Sequence, residues 1–230
     1  MKVEATFVTS AAGAADFPRD GRPSVALVGR SNVGKSSLIN ALVRRRLART
    51  SAAPGKTRLA NVYLVARAGR ESLYLVDLPG YGYARGGGET ARALDEVTRS
   101  FFRRGDAEGR IATATTALLT VDARHPGLDR DRTAWGWLQQ TVAAAGIVAT
   151  KTDKLSRVQR QRALRELEAV FEHPVLPVSA ATGEGLDELW ILIDTLASQR
   201  SSSRNPHSRK ANQPPERNPA RATAPRPPKR

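Results

Sequence analysis

Short continuous apolar runs alternate along the chain with segments in which apolar positions return every three or four residues. Val25 to Val28 is such a run, the pattern of a strand covered on both faces. Behind it, Leu38, Ile39, Leu42 and Val43 share one helical stripe. Leu59 to Arg67 and Ser72 to Asp77 flank Ala68, Gly69 and Arg70; they read as a hairpin that sets one antiparallel strand at a sheet edge. Ala117 to Val121 predicts the next strand, and a helix from about Asp129 carries Trp135 and Leu138. Ala143 to Ala149 predicts a strand that is poor in bulky residues. Leu164, Leu167, Val170 and Phe171 mark another helix, and Leu186, Leu189, Trp190, Ile193 and Leu196 the last. Strands alternating with helices imply an α/β domain with a mostly parallel sheet. The tryptophans sit at core spacing rather than as ligand sites.

The junction after the first apolar run carries chemistry. Gly29, Arg30, Ser31, Asn32, Val33, Gly34, Lys35 and Ser36 satisfy G-x-x-x-x-G-K-S/T, and a helical pattern opens at Ser37. Strand, glycine loop and helix in that order form the context of a phosphate-binding loop. Its glycines let consecutive N–H groups face a phosphate chain, and the helix adds its positive dipole end. Lys35 is placed for the β- and γ-phosphates, and the Ser36 hydroxyl for Mg²⁺. The chain therefore binds a nucleoside triphosphate.

Asp77, Leu78, Pro79 and Gly80 follow a predicted strand, so Asp77 stands at a carboxyl strand end, where ligands bind in open α/β sheets. It suits a Mg²⁺-bound water there, and the Gly80 N–H suits the γ-phosphate. Thr150, Lys151, Thr152 and Asp153 resemble the N/T-K-x-D guanine motif of translation-factor-class GTPases. Guanine offers two donors on one edge, N1–H and N2–H₂, to a carboxylate. Adenine offers an acceptor at N1. Lys151 can lay its aliphatic stem over the base. Val178, Ser179 and Ala180 resemble the short loop of that class whose N–H meets guanine O6. GTP is thus expected over ATP.

Together, G-R-S-N-V-G-K-S-S-L-I-N-A-L, P-G-K-T-R, D-L-P-G-Y-G-Y-A, V-D-A-R-H, T-K-T-D-K-L and V-S-A closely resemble the EngB (YihA/YsxC) GTPases, in the Era-like branch of the translation-factor class. The resemblance runs from about Phe7 to Ala197. It implies a P-loop NTPase of Ras-like G-domain type, with a six-stranded mostly parallel sheet, one antiparallel edge strand and helices on both faces. It implies GTP hydrolysis to GDP, and Thr57, in the segment Gly55, Lys56, Thr57, Arg58 and Leu59, as the switch threonine over Mg²⁺ and the γ-phosphate. Lys35, Thr57 and Gly80 are then the catalytic set, and Ser36, Thr57 and Asp77 (through water) the metal set. Assembly of the bacterial large ribosomal subunit on its rRNA, and normal cell division and septation, are implied as the role. A nucleotide-gated RNA-binding scaffold, in which hydrolysis is incidental, is the alternative.

In Ras-like enzymes a Gln directly after D-x-x-G orients the attacking water. Tyr81 occupies that place, so slow intrinsic turnover is expected. Asn32 matches the Asn of K⁺-dependent relatives, and a cation near the β–γ bridge would neutralise developing charge. Thr150 stands where Asn is usual, so an amide bond to the base or phosphate loop is lost and modest nucleotide affinity is expected. Arg85 and Gly86 to Gly88 predict a very flexible second switch.

Charge adds one further element. The formal net charge is +15. Residues 200–230 hold nine Lys/Arg against Glu216 alone and half of the 14 prolines, a net +8 that leaves +7 elsewhere. Such a segment cannot bury enough apolar surface to order itself; it reads as a disordered basic tail that meets RNA phosphates in a salt-sensitive way. The expected organisation is an N-terminal segment, 1–21, packed on a G domain, 22–199, followed by the tail. Arg44 to Arg46, Arg49 and Arg58 border the first switch, and Arg99, Arg103 and Arg104 follow the second. They are candidates for coupling nucleotide state to RNA affinity. No run approaches membrane-spanning length, no signal peptide is read, and cysteine is absent. A cytoplasmic monomer without membrane insertion is expected.

Overall fold

The computed structural model describes residues 2–49, 59–81, 88–103 and 116–203. Among these described residues seven strands form one sheet: β1 (Val3–Ala11), β2 (Ser24–Gly29), β3 (Ala60–Arg67), β4 (Leu73–Asp77), β5 (Thr116–Asp122), β6 (Ala144–Thr150) and β7 (Val175–Pro177). The α-helices described beside them are α1 (Lys35–Leu42), α2 (Gly88–Arg103), α3 (Asp129–Thr141), α4 (Arg157–Phe171) and α5 (Leu186–Ser203). The strand order is β1-β3-β4-β2-β5-β6-β7. Pairing is parallel from β4 through β7 and antiparallel for β3 with both β1 and β4.

Strand alternation divides the core into two layers. Val25 and Leu27 of β2, with Leu73 and Leu75 of β4, face Leu38, Ile39 and Leu42 of α1 and Leu189, Trp190 and Ile193 of α5. Ala26 and Val28, with Tyr74 and Val76, face Phe101 and Phe102 of α2, Trp135 and Leu138 of α3, and Leu167 and Phe171 of α4. Helices therefore cover both faces, as the resemblance to Ras-like P-loop proteins implies.

The strand count differs from the expected six. The hairpin does supply the strand that runs against the others, but residues 3–11 add a seventh strand outside it. Strict alternation is weak in V-E-A-T-F-V-T-S-A because only Ala5 and Ala11 are buried and the register shifts between Phe7 and Thr9. That irregularity hides the strand from a periodicity reading. The helix after the glycine loop begins at Lys35 rather than Ser37. The last helix runs to Ser203. The small residues of β6 also find a reason: a Cβ on Gly146 would lie 3.1 Å from Leu192 Cδ2 of α5.

Candidate functional site

The carboxyl ends of β2, β4, β5, β6 and β7 deliver Gly29, Asp77, Asp122, Thr150 and Pro177 to one rim of the sheet. The sequence-predicted site residues that fall among the described ones gather along it. Gly55 to Arg58, with Thr57, lie outside the described residues, and Leu59 is an exposed residue just before β3.

At one end of the rim the loop from Gly29 to Ser36 turns through Asn32 at φ 62° and Gly34 at φ 115°. That curl leaves the first amides of α1 without intrahelical partners. Gly29 is obligatory for space, since a Cβ there would come 2.6 Å from the Thr120 carbonyl oxygen. Lys35 is buried, and its Nζ donates to the carbonyls of Gly29 at 3.0 Å and Arg30 at 3.3 Å. Burial pulls the Lys35 pKa below that of an ordinary lysine, against the raising effect of Asp77. Burial likewise pushes Asp77 above the ordinary carboxylate value, against Lys35 and the Ser36 hydroxyl. Two opposite charges thus share a site too dry to suit either.

The Ser36 hydroxyl donates to Asp77 Oδ2 at 2.5 Å, while Asp77 Oδ1 is buried with no hydrogen-bond partner among the described residues. A hydroxyl oxygen beside a carboxylate with an unused oxygen is a donor set suited to Mg²⁺, which takes few protein ligands and completes its shell with water and phosphate oxygens. Gly80 presses against the loop: a Cβ there would fall 2.6 Å from the Ser31 nitrogen. The Ser31 N–H donates to the Tyr81 carbonyl at 3.2 Å, and its hydroxyl donates to the Gly80 carbonyl at 3.3 Å. Leu78 is buried, and its N–H donates to Leu27 O, tying the Asp77–Gly80 turn (with Pro79) to β2.

Tyr81 points away from this centre. Its hydroxyl donates to Asp131 Oδ1 at 2.8 Å, and Arg30 Nε approaches the same oxygen at 3.2 Å. Asp131 is 1% exposed. Burial raises its pKa, against Tyr81 and Arg30, and burial followed by the Asp131 charge raises that of the phenol. Asp131 was not legible as a site residue. In the run Asp129, Arg130, Asp131, Arg132 it looks like one more exposed charge, and only the inward turn of α3 distinguishes it.

At the other end the groups are satisfied. Lys151 adopts φ 61° and sends Nζ to the Asn32 carbonyl at 2.6 Å and Asp122 Oδ2 at 3.0 Å. Asp122 also accepts from Arg124 through N, Nε and Nη2. Burial alone would raise the Asp122 carboxyl, but the bonds from Arg124 and Lys151 outweigh it and hold the group well below the ordinary range. The V-D-A-R-H string, with its Asp at a strand end, was the available signal for Asp122. Asp153 accepts from the Ser179 hydroxyl at 2.8 Å, a bond that lowers its pKa. The same Ser179 oxygen accepts from the N–H groups of Ala181 and Thr182, which fixes the turn that presents Ala180. Thr152 donates to the Val178 carbonyl at 3.0 Å.

At Thr150 the amide of the usual Asn is missing, as expected, and a hydroxyl makes a link to the phosphate loop instead: Thr150 Oγ1 lies 2.7 Å from the Val33 carbonyl and 3.0 Å from that of Val121. A hydroxyl has one proton, so it serves one of these acceptors at a time.

The family profile described as "50S ribosome-binding GTPase" matches residues 24–169. The "Probable GTP-binding protein EngB" of Chlorobaculum parvum is 39% identical over 193 residues, covering 83% of this chain and 95% of that protein. Its namesake in Pelotomaculum thermopropionicum is 41% identical over 200 residues, covering 84% and 96%. Among solved structures, Era in complex with MgGDPNP and nucleotides 1506–1542 of 16S ribosomal RNA aligns with TM-score 0.63 at 22% identity, covering 76% of this chain and 56% of that one. A probable GTP-binding protein engB aligns with TM-score 0.56 at 23% identity, covering 76% and 99%. At these identities the structural likenesses speak to the fold.

Proposed function

The chain belongs to the EngB family of GTP-binding proteins and is a GTPase; from that premise we propose that it acts in the cytoplasm, as a monomer, in assembling the bacterial large ribosomal subunit on its rRNA, and so supports normal cell division and septation. The observation that carries this reading is the match, over residues 24–169, to a family described by its binding to the 50S particle. The strongly basic chain, net +15, is suited to RNA phosphates.

In this reading the amides from Gly29 to Ser36 cradle the phosphates, and Lys35 shifts its ammonium from the loop carbonyls onto the β- and γ-phosphates. Ser36 and Asp77 are the residues that would hold Mg²⁺, joined by Thr57. The ion, when bound, neutralises charge on the phosphate oxygens. Gly80 meets the γ-phosphate through its N–H. Water attacks the γ-phosphorus in line with the bond to the β–γ bridging oxygen, and that oxygen departs on GDP. With the Tyr81 hydroxyl bonded to Asp131, no side chain at that position orients the water, so intrinsic turnover is slow. Asp153 accepts from guanine N1–H and N2–H₂, Lys151 covers the base, the Ala180 N–H meets O6, and Thr150, Thr152, Val178 and Ser179 hold these groups in place. Asn32 is the residue through which K⁺ would act, checked by comparing turnover in K⁺ and Na⁺.

Co-sedimentation with large subunits in GTP analogue, GDP and no nucleotide, over a salt series, tests the role. Binding favoured by the analogue and surviving moderate salt is expected. Binding indifferent to nucleotide and abolished by salt would reduce the interaction to nonspecific attraction by a basic chain.

A further inference from the structure

The helix that follows the guanine motif is built against its own electrostatics. A helix N-terminus favours carboxylates. Asp129 and Asp131 occupy the first turn of α3, and Asp187 and Glu188 that of α5, but α4 has no acidic residue there. Instead Arg157, Arg160, Arg162 and Arg165 stand in its first nine residues, with no carboxylate until Glu166. Arg157 with Arg160, and Arg162 with Arg165, are like-charge neighbours three apart, which destabilise a helix. A capping box between Ser156 and Gln159 secures the start of α4.

Arg160 is partly buried and paired with Glu184. Arg157, Arg162 and Arg165 are exposed and enter no ion pair or hydrogen bond among the described residues. Spaced five and three residues apart, they spread over the solvent side, opposite the buried Ala163, Leu167 and Phe171. Val158, 78% exposed, lies between them. Of the arginines expected near the first switch, Arg45 donates to the Ala5 carbonyl and so is engaged in holding β1.

We infer that the outward face of α4, through Arg157, Arg162 and Arg165, is an RNA-phosphate docking surface. Unpaired guanidiniums on a rigid, capped helix match phosphate oxygens in charge and fork geometry, and the local repulsion is relieved when an anionic backbone lies across them. Because α4 packs on β7 and α3, its contribution is independent of nucleotide state, unlike surfaces beside the switches. The inference rests on the reading that the protein works on RNA, but on no particular rRNA site.

The test uses the full chain with Arg157→Gln, Arg162→Gln and Arg165→Gln combined, and a charge-matched variant carrying Arg19→Gln, Arg70→Gln and Arg132→Gln, exposed arginines away from both switches. Each is titrated with a short RNA duplex of mixed sequence across a salt series, in GTP analogue and in GDP. The α4 variant is expected to hydrolyse GTP at the basal rate, to bind RNA at least about tenfold more weakly at low salt, and to show a slope of log affinity against log salt smaller by roughly two to three. The loss should be the same with either nucleotide. An equal loss in the charge-matched variant, or no loss in either, overturns the assignment. So does a variant that keeps RNA affinity but loses binding to phosphatidylserine-containing vesicles, which would make the face a membrane contact. Failure of the unaltered protein to bind large subunits would instead strike the ribosomal reading.

Discussion

The two ends of the nucleotide rim solve opposite problems. At the phosphate end, Lys35 and Asp77 are both pulled toward neutrality by burial, and Asp77 keeps an oxygen with no partner among the described residues. At the base end, Asp122 and Asp153 are held ionised by donors already in place, and Lys151 is pinned from two sides. The base end is preorganised. The phosphate end is incomplete, and a bound triphosphate supplies the charge that Lys35 lacks. Affinity should therefore be concentrated in the phosphates and selectivity in the base.

The sharpest way to break this contrast is Lys35→Ala. It should lower triphosphate affinity by about 3 kcal/mol, roughly a hundredfold, in titrations with a fluorescent GTP analogue. A loss of only a few fold would mean that the base end anchors the ligand. Asp153→Ala comes next. Removing the acceptor for two guanine donors should shrink the preference for GTP over ATP by about 2 kcal/mol, roughly thirtyfold, with ATP affinity little changed in competition assays.

Tyr81→Phe should leave nucleotide affinity in place while costing about 1 to 2 kcal/mol in urea unfolding, because the buried Asp131 loses one of its two partners. Thr150→Val should cost about 1 kcal/mol in the same experiment. It probes the lone hydroxyl that joins the base strand to the phosphate loop.

The smallest effect concerns pH. Asp122 and Asp153 have folded pKa values below the ordinary carboxylate value of about 3.9, so their contribution is full above that value. It is lost as the pH falls through the depressed folded values. Guanine preference measured from about pH 8 to about pH 5 should stay flat. A preference that faded within that window would mean that the Asp153 carboxyl is raised above its ordinary value rather than lowered by Ser179.

This contrast also explains what could be read from the sequence. The phosphate loop, Asp77 to Gly80 and Thr150 to Asp153 were legible because their spacing is dictated by a ligand of fixed dimensions. The apolar stripes of α1, α4 and α5 were legible because a helix repeats. Asp131 was not, since its role depends on the direction in which one turn of α3 faces. Nor was the bond from Thr150 to Val33, which replaces an amide by a shorter side chain only because the two segments lie close. The strand at residues 3–11 escaped for a third reason: most of its side chains are exposed, so no buried stripe marks it.

That strand has a consequence for the order in which the protein takes shape. Among the described residues β1 pairs with β3 alone, and β3 is itself steadied by β4, which comes later in the chain. The N-terminal segment must therefore wait until the hairpin exists before it can join the sheet. Until then the outer row of backbone groups on β3 stands open, the kind of edge along which half-made chains adhere to one another. During biosynthesis β1 acts as a closing seam, and a chain whose N-terminus is obstructed would be at its most adhesive just as its GTPase core is complete.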